Sequence, residues 1–305
     1  MSLNGPDTMA RVEEIARAKI NLALHVTGRR ADGYHLLDSL VTFAEDGDEL
    51  RFEVAETDSL TLGGAFAQSL GTVPPDDNLV IKARDRLRAL VGASGQKTTP
   101  VAIRLEKTLP VAAGIGGGSA DAAATLRGLL RLWQCDVPPA SLQTLALALG
   151  ADVPMCLMSK PLRAEGIGET LAPVALPSYP MVLVNPLQPV STPEIFQNLE
   201  RRDNPPIGPL PESPDANAWL QSFAGLRNDL QPPAEALVPE IAETCGLLRE
   251  SLALFSGMSG SGATCFGLYE SERAAMRAAL ALSAYRPQWY VLLTHTVAAG
   301  DGDVP

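Results

Sequence analysis

Residues 110–124 read Pro-Val-Ala-Ala-Gly-Ile-Gly-Gly-Gly-Ser-Ala-Asp-Ala-Ala-Ala and pass directly into an Ala/Leu-rich stretch that ends at Trp133. With Gly114, Gly116, Gly117 and Gly118 so close together, the backbone can enter conformations closed to other residues, and successive N–H groups can converge on an anion. A helix beginning near Ser119 adds its own unpaired N–H groups and the positive end of its dipole. The stretch therefore predicts a loop-to-helix junction that cradles phosphate, with a nucleoside triphosphate as its occupant. Spacing excludes two other phosphate-binding patterns. No Gly-Lys pair occurs anywhere in the chain, which removes G-x-x-x-x-G-K-[ST]. Ser119 or Asp121 stands where a dinucleotide fingerprint needs Gly or Ala.

A chain of 305 residues is long enough for two domains and buries about 75% of its unfolded surface. Its 46% hydrophobic and 19% charged content describes a folded chain, and the net charge of −11 argues against a nucleic-acid partner. A local pocket can still be positive and take a phosphorylated ligand. No apolar run reaches the length that spans a membrane, so no membrane partner is expected. Residues 1–8 read as a flexible leader or remnant, with Met9 as the expected native start. Cys135, Cys156, Cys245 and Cys265 lie far apart without C-x-x-C spacing, and the expectation is four reduced thiols in a cytoplasmic protein.

Alternation from Ala18 to Val26 predicts a strand with Ala18, Ile20, Leu22, Leu24 and Val26 on one face. Lys19, Asn21, Ala23 and His25 fall on the other. Asp32-Gly33 marks a turn that presents Tyr34 and His35. Alternation returns at Leu50–Val54 and Val101–Leu105. Asp76-Asp77-Asn78 reads as the cap of a helix running through Val91, with Lys82, Arg84, Arg86 and Arg88 as its solvated face. Ala122, Leu126, Leu129, Leu130 and Trp133 sit at helical spacing. Pro138-Pro139 stop that helix, another runs from Ser141 to Gly150, and Asp152 then falls in a short connection that can present it to a cleft. In the second half, Pro205–Pro214 reads as a surface loop. Strands are expected at Met181–Val184, Thr264–Tyr269 and Trp289–Thr296, with helices at Glu194–Leu199, Ala234–Leu252 and Ser271–Ala284. Interleaved in this way, they predict a two-layer α+β unit. Asp38, Asp46, His25 and His295 read as structural.

A second run of small residues, Met258–Gly262, precedes the strand expected at Thr264. Together with Ala18-Lys19-Ile20-Asn21-Leu22, Asp32-Gly33-Tyr34-His35, Asp77-Asn78-Leu79, Lys107-Thr108-Leu109-Pro110, Gly150-Ala151-Asp152-Val153-Pro154 and Asn228-Asp229-Leu230, it resembles the GHMP kinase superfamily over nearly the whole chain. The Lys-Ile-Asn-Leu and Asp-Gly-Tyr-His pieces resemble most the branch whose acceptor carries a cytidine diphosphate. The resemblance implies an α+β, two-domain fold: an N-terminal ATP-binding α/β domain at 9–163, and a C-terminal ferredoxin-like α+β domain at 164–298. The active site would lie in the cleft between them. It also implies ATP- and magnesium-dependent phosphorylation of a hydroxyl on a cytidine diphosphate-linked methylerythritol, a step of non-mevalonate isoprenoid synthesis.

Carried over residue by residue, the resemblance makes Asp152 the general base and Lys19 its charged neighbour. Asn78, Lys107, Pro110, Val111, Ala112, Ala113, Gly114, Ile115, Gly116, Gly117, Gly118 and Ser119 fall on the ATP side. Asn21, Tyr34, His35 and Phe196 fall on the acceptor side, with Tyr34 and Phe196 sandwiching a cytosine ring. Many members carry Gly where Ala112-Ala113 stand here, and Ser-Ser where this chain has Ser119-Ala120. A hydroxyl contact to phosphate or metal then falls to Ser119 alone, and no magnesium ligand is assigned. Two alternatives stay open: another kinase of the superfamily acting on homoserine or mevalonate, or a member that binds ligand without catalysis.

Overall fold

The computed structural model describes residues 11–70, 74 and 77–300. The leader, Met9 and Asp76 of the expected cap lie outside the described residues.

Two strands, β1 (Arg11–Arg29) and β2 (His35–Val54), form an antiparallel hairpin that pairs along its whole length. They are far longer than the local alternation suggested, because β1 stays buried from Ala18 to Val26 on both faces. Each face therefore meets a different layer. The other edge of β2 is shared by β4 (Val101–Glu106) and β5 (Leu162–Gly166). Beyond these lie β3 (Ser59–Gly63), parallel to β4, and β6 (Thr170–Pro173). A second, antiparallel sheet has the order β10 (Tyr290–His295), β7 (Pro180–Asn185), β9 (Cys265–Leu268), β8 (Phe255–Met258).

The first sheet packs on α2 (Leu79–Ala93), α3 (Gly117–Trp133), α4 (Pro139–Leu149) and α5 (Val153–Met158), with Phe43, Phe52, Leu87, Leu126 and Leu129 in the core between. The second packs on α8 (Gln231–Leu237), α9 (Pro239–Glu250) and α10 (Glu272–Tyr285) through Val182, Val184, Ile241, Leu248 and Ala275. A third core joins the sheets: Ala18, Ile20 and Leu22 of β1 meet Met181, Leu183, Phe266 and Leu268. Strict period-2 alternation in β7 thus serves two cores at once. The remaining helices are α1 (Ala67–Leu70), α6 (Thr192–Gln197) and α7 (Ala216–Phe223).

Several local expectations change. The helix expected over Ala234–Leu252 is broken at Val238-Pro239 into α8 and α9, since a proline inside a helix costs a hydrogen bond and a clash but starts one freely. The same rule gives α5, where Pro154 opens a helix directly after Asp152 instead of prolonging a connection. Asp215 caps α7, which buries Trp219 and Phe223 four residues apart, a cap and spacing that the sequence carries. The basic face of α2 is only partly solvated: Arg84 and Arg88 both reach Asp58, and Arg86 donates to the Ala148 carbonyl.

Beneath the start of α3, the Lys107 amine is buried between Asp48 and Asp121, 2.7 Å from the Asp121 Oδ2. The other oxygen of Asp48 accepts the Thr108 and Leu109 N–H groups at 2.7 and 2.9 Å. The cluster thus ties the later part of β2, the end of β4 and the first turns of α3 together. Burial opposes the charge on Lys107, yet the two carboxylates hold its amine above the usual lysine range. Burial pushes the Asp121 carboxyl up to about 7, with Lys107 pulling it down and Asp48 adding to the rise. Because the folded value lies above the ordinary 3.8, this group favours the fold at acid pH and loses that contribution as pH rises through 7. Asp121→Asn is therefore expected to fold, and its thermal midpoint should gain on the parent between about pH 5 and about pH 8, by a few degrees. Asp48→Asn, which weakens three accepted bonds, should lose about 1–3 kcal/mol in denaturant titrations at either pH. Melting curves for Asp121→Asn that run parallel to the parent across that range would contradict the raised titration of Asp121.

Candidate active site

An open cleft of 880 Å³ lies where the hairpin passes between the two sheets. Its floor is the middle of β1. Here the structure departs from strict alternation: the β1–β2 register shifts between Asn21 and Ala23, so the cleft is lined by Lys19, Asn21 and then Leu24 rather than Ala23. A bulge inserts one residue and flips the faces beyond it. His25 is thereby turned away, its Nδ1 against the Pro205 carbonyl at 3.0 Å.

Asp152 caps α5 without using its side chain on the helix, and its Oδ2 lies 3.0 Å from the Lys19 Nζ. The lysine side chain is 8% exposed and the carboxylate 39% exposed. The cation is therefore held in the wall while the anion faces the opening. The Lys19 N–H also donates to the Ile115 carbonyl at 2.9 Å, which fastens the strand to the glycine-rich loop.

Within that loop Ala112, Gly114 and Gly116 take φ values of 54°, 73° and 65°. They alternate with residues of ordinary φ, which is how a backbone nest is formed. All three line the cleft. Gly116 is the N-cap of α3, so Gly117, Gly118 and Ser119 supply the N–H groups of its first turn, with no acidic side chain among them. Gly117 itself does not adopt positive φ; the conformational demand falls on Gly114 and Gly116, and Ala112 meets it despite its Cβ. Ala113 and Ile115 are turned into the core with Pro110, whereas Val111 is exposed. Ser119 lies beside Gly150, two residues before Asp152: a Cβ on that glycine would be 4.0 Å from its Oγ.

Two residues assigned to the ATP side are engaged elsewhere. The Asn78 side chain accepts the Val80 N–H at 2.9 Å and caps α2. Lys107 is the buried cation described above, below the loop rather than in the cleft lining.

At the other end of the cleft the β1–β2 turn brings in Tyr34 and His35. Tyr34 is 64% exposed. The structure stacks His35, not Tyr34, on Phe196 of α6, with centroids 4.7 Å apart and planes at 22°. Burial, then the charges of Arg29 and Arg202, hold the His35 imidazole below the usual histidine range, so it stays neutral at pH 7. Its Nε2 is buried without a partner. Asn21 donates to the Ser39 Oγ at 2.7 Å, while its own carbonyl oxygen is buried and unpartnered. Two unsatisfied polar atoms on cleft-lining residues carry a cost that a polar ligand would remove. The structure adds Thr192 and Ser261, whose hydroxyls meet at 2.7 Å along the lining. Neither was singled out in the sequence, although Ser261 stands inside the second glycine-rich run. Lys19, Asn21, Tyr34, His35, Asp152, Phe196 and the loop are thus gathered in one cavity that joins an anion cradle to an aromatic end.

Comparison with known proteins places relatives along nearly the whole chain. Residues 78–160 match the GHMP kinases N terminal domain, and residues 214–288 match the GHMP kinases C terminal domain. The chain is 56% identical over 290 residues to the 4-diphosphocytidyl-2-C-methyl-D-erythritol kinase of Rhizobium johnstonii, covering 95% of this chain and 94% of that one. It is 55% identical to the protein of the same name from Agrobacterium fabrum, covering 93% and 96%. A crystal structure of 4-(cytidine 5'-diphospho)-2C-methyl-D-erythritol kinase superposes with a TM-score of 0.77 at 34% identity, over 93% of this chain and 98% of that one. A homoserine kinase from Cytophaga hutchinsonii shares the fold, with a TM-score of 0.67 at 16% identity over 97% and 98%. On its sequence and its fold alike, the chain belongs to the 4-diphosphocytidyl-2-C-methyl-D-erythritol kinase family of the GHMP kinases.

Proposed function

We propose that this kinase transfers the γ-phosphoryl group of ATP to the 2-hydroxyl of 4-diphosphocytidyl-2-C-methyl-D-erythritol, in the methylerythritol phosphate route to isoprenoid precursors. The observation that carries the reading is the Lys19–Asp152 pair at 3.0 Å, placed between the glycine-rich loop and the aromatic end of one cleft. The acceptor oxygen attacks the γ-phosphorus, its proton passes to the Asp152 carboxylate, and the bond to the β,γ-bridging oxygen breaks to release ADP. Phosphoryl transfer depends on positioning and on neutralising charge at the transferring group. Lys19 supplies that charge and orients the base. The nest at Ala112, Gly114 and Gly116, with the first turn of α3, holds the triphosphate.

Magnesium fits as an ion carried by the nucleotide. The loop offers one hydroxyl, Ser119, and the first turn of α3 has no carboxylate, a donor set suited to an ion that keeps much of its water. When bound it offsets phosphate charge. At the acceptor end Tyr34 and Phe196 flank the cytosine ring, His35 sets the Phe196 orientation, and the free His35 Nε2 and Asn21 oxygen receive polar groups of the acceptor. Four free thiols accord with a reducing compartment, and the cytoplasm is the proposed location.

ADP release measured across a panel of acceptors tests the assignment. Efficient turnover of 4-diphosphocytidyl-2-C-methyl-D-erythritol is expected, and a preference for homoserine or mevalonate would overturn it. Asp152→Asn should fold as the parent does and lose about 10²–10⁴-fold in kcat, towards the lower end because the loose transition state asks little of the base. Retention of half the parent turnover at saturation would remove Asp152 from the mechanism. Tyr34→Ala should raise the KM for the acceptor by about tenfold to a hundredfold, the worth of one stacking contact, and leave the KM for ATP nearly unchanged. An acceptor KM that does not move would deny the tyrosine its place against the base.

A further inference from the structure

The acceptor-side strand and the triphosphate loop belong to the first half of the chain, yet a residue from the second half stands between them. Ser259 lies in the turn between β8 and β9 and is fully buried. Its hydroxyl accepts the backbone N–H of Asn21 at 3.0 Å and donates to the carbonyl of Gly114 at 3.0 Å. One oxygen thus bridges the strand position two residues beyond Lys19 and the first glycine of the nest.

The turn that carries Ser259 is itself fixed. The Asn228 Nδ2 donates to the Met258 and Gly260 carbonyls, both at 2.8 Å, and the Thr264 N–H donates to the Ala113 carbonyl at 3.2 Å. The two glycine-rich loops touch backbone to backbone. A Cβ on Gly114 would lie 2.4 Å from the Ser259 carbonyl, and one on Gly260 would lie 2.8 Å from the Gly114 carbonyl. Ser259 is absent from the cleft lining, which Gly260 and Ser261 reach, so it can act on the reaction only through its neighbours.

We propose that Ser259 is a positioning residue for phosphoryl transfer: its hydroxyl sets the register of the strand bearing Lys19 and Asn21 against the triphosphate loop, and so the distance between acceptor and γ-phosphorus. The inference rests on the proposed kinase reading of the cleft. Each substrate keeps its own contacts when the bridge is lost, while their mutual alignment does not. Loss of the bridge therefore falls on kcat rather than on either KM, and misplacement of about 1 Å is enough to cost on the order of a hundredfold in rate.

The test compares Ser259→Ala, Ser259→Cys and Ser259→Thr in the full chain. Thermal melts and far-UV circular dichroism monitor folding, and ADP release gives kcat and both KM values. Removing the hydroxyl leaves a buried N–H and a buried carbonyl without a partner, so the alanine variant is expected to melt earlier. The near-isosteric cysteine, a weak hydrogen-bonding group, carries the comparison if alanine fails to fold. For folded alanine or cysteine variants kcat should fall about tenfold to a hundredfold with both KM values within about threefold of the parent. Ser259→Thr, which keeps the hydroxyl, should recover most of the turnover. Unchanged kcat in a folded hydroxyl-free variant overturns the proposal, as does a loss confined to KM, or a threonine variant no better than cysteine. Activity of the unaltered chain on its acceptor is read in the same assay, so failure of the kinase reading is seen separately.

Discussion

A buried ammonium between two carboxylates is the constraint on which the nucleotide end of this molecule rests. Lys107, Asp48 and Asp121 come from the end of β4, the later part of β2 and the first turns of α3. Taking three charges out of water is costly, and the cost is offset only where geometry is close and the remaining lone pairs are satisfied. Asp48 meets that condition by accepting two backbone N–H groups besides the amine. Asp121 does not: one of its oxygens is buried without a partner, and burial, with Asp48 adding to it, raises its hold on a proton. The cluster directly underlies the loop, for a Cβ on Gly117 would stand 3.2 Å from the Lys107 Nζ. The nest above can hold its unusual backbone because its base is pinned.

The hairpin of β1 and β2 performs the corresponding task for the acceptor end. One strand supplies the floor of the cleft, the core between the sheets and the turn that carries Tyr34 and His35. Register shifts along it choose which side chains face the cleft, and the bulge after Asn21 lets Lys19, Asn21 and Leu24 share a face. Phe196 of α6 and the second glycine-rich loop, between β8 and β9, line the cleft from the second half of the chain. Close backbone contact between the two loops, together with the Ser259 hydroxyl that bridges them, holds this junction in place.

The chemistry of the cleft contrasts with the chain as a whole. A protein with a net charge of −11 presents Lys19 and the N-terminus of α3 to the cavity, with Arg29 and Arg202 close enough to depress the His35 titration. Local placement, rather than net charge, governs what such a cavity accepts. Unpartnered polar atoms on Asn21 and His35 identify the surfaces left for a ligand to complete.

What could be read from the sequence is what depends on neighbours a few residues away. The glycine-rich loop and the helix behind it, the Asn78 cap, the Gly150 stop and the alternation of β4 all arise from local backbone preference and short periodicity. The motifs around Lys19, Asp152, Tyr34 and His35 sufficed to name the family, and the fold brings these residues and Phe196 into one cleft. Tertiary structure alone decided the rest. It turned Ala23 out of the cleft by a bulge, sent Lys107 beneath the loop, stacked His35 on Phe196, and set Ser259 between two segments 145 and 238 residues away in sequence. Each of these outcomes is a matter of burial and pairing between distant parts of the chain. Alternation and composition do not record which distant groups will share a low-dielectric space, and that sharing is what fixed them.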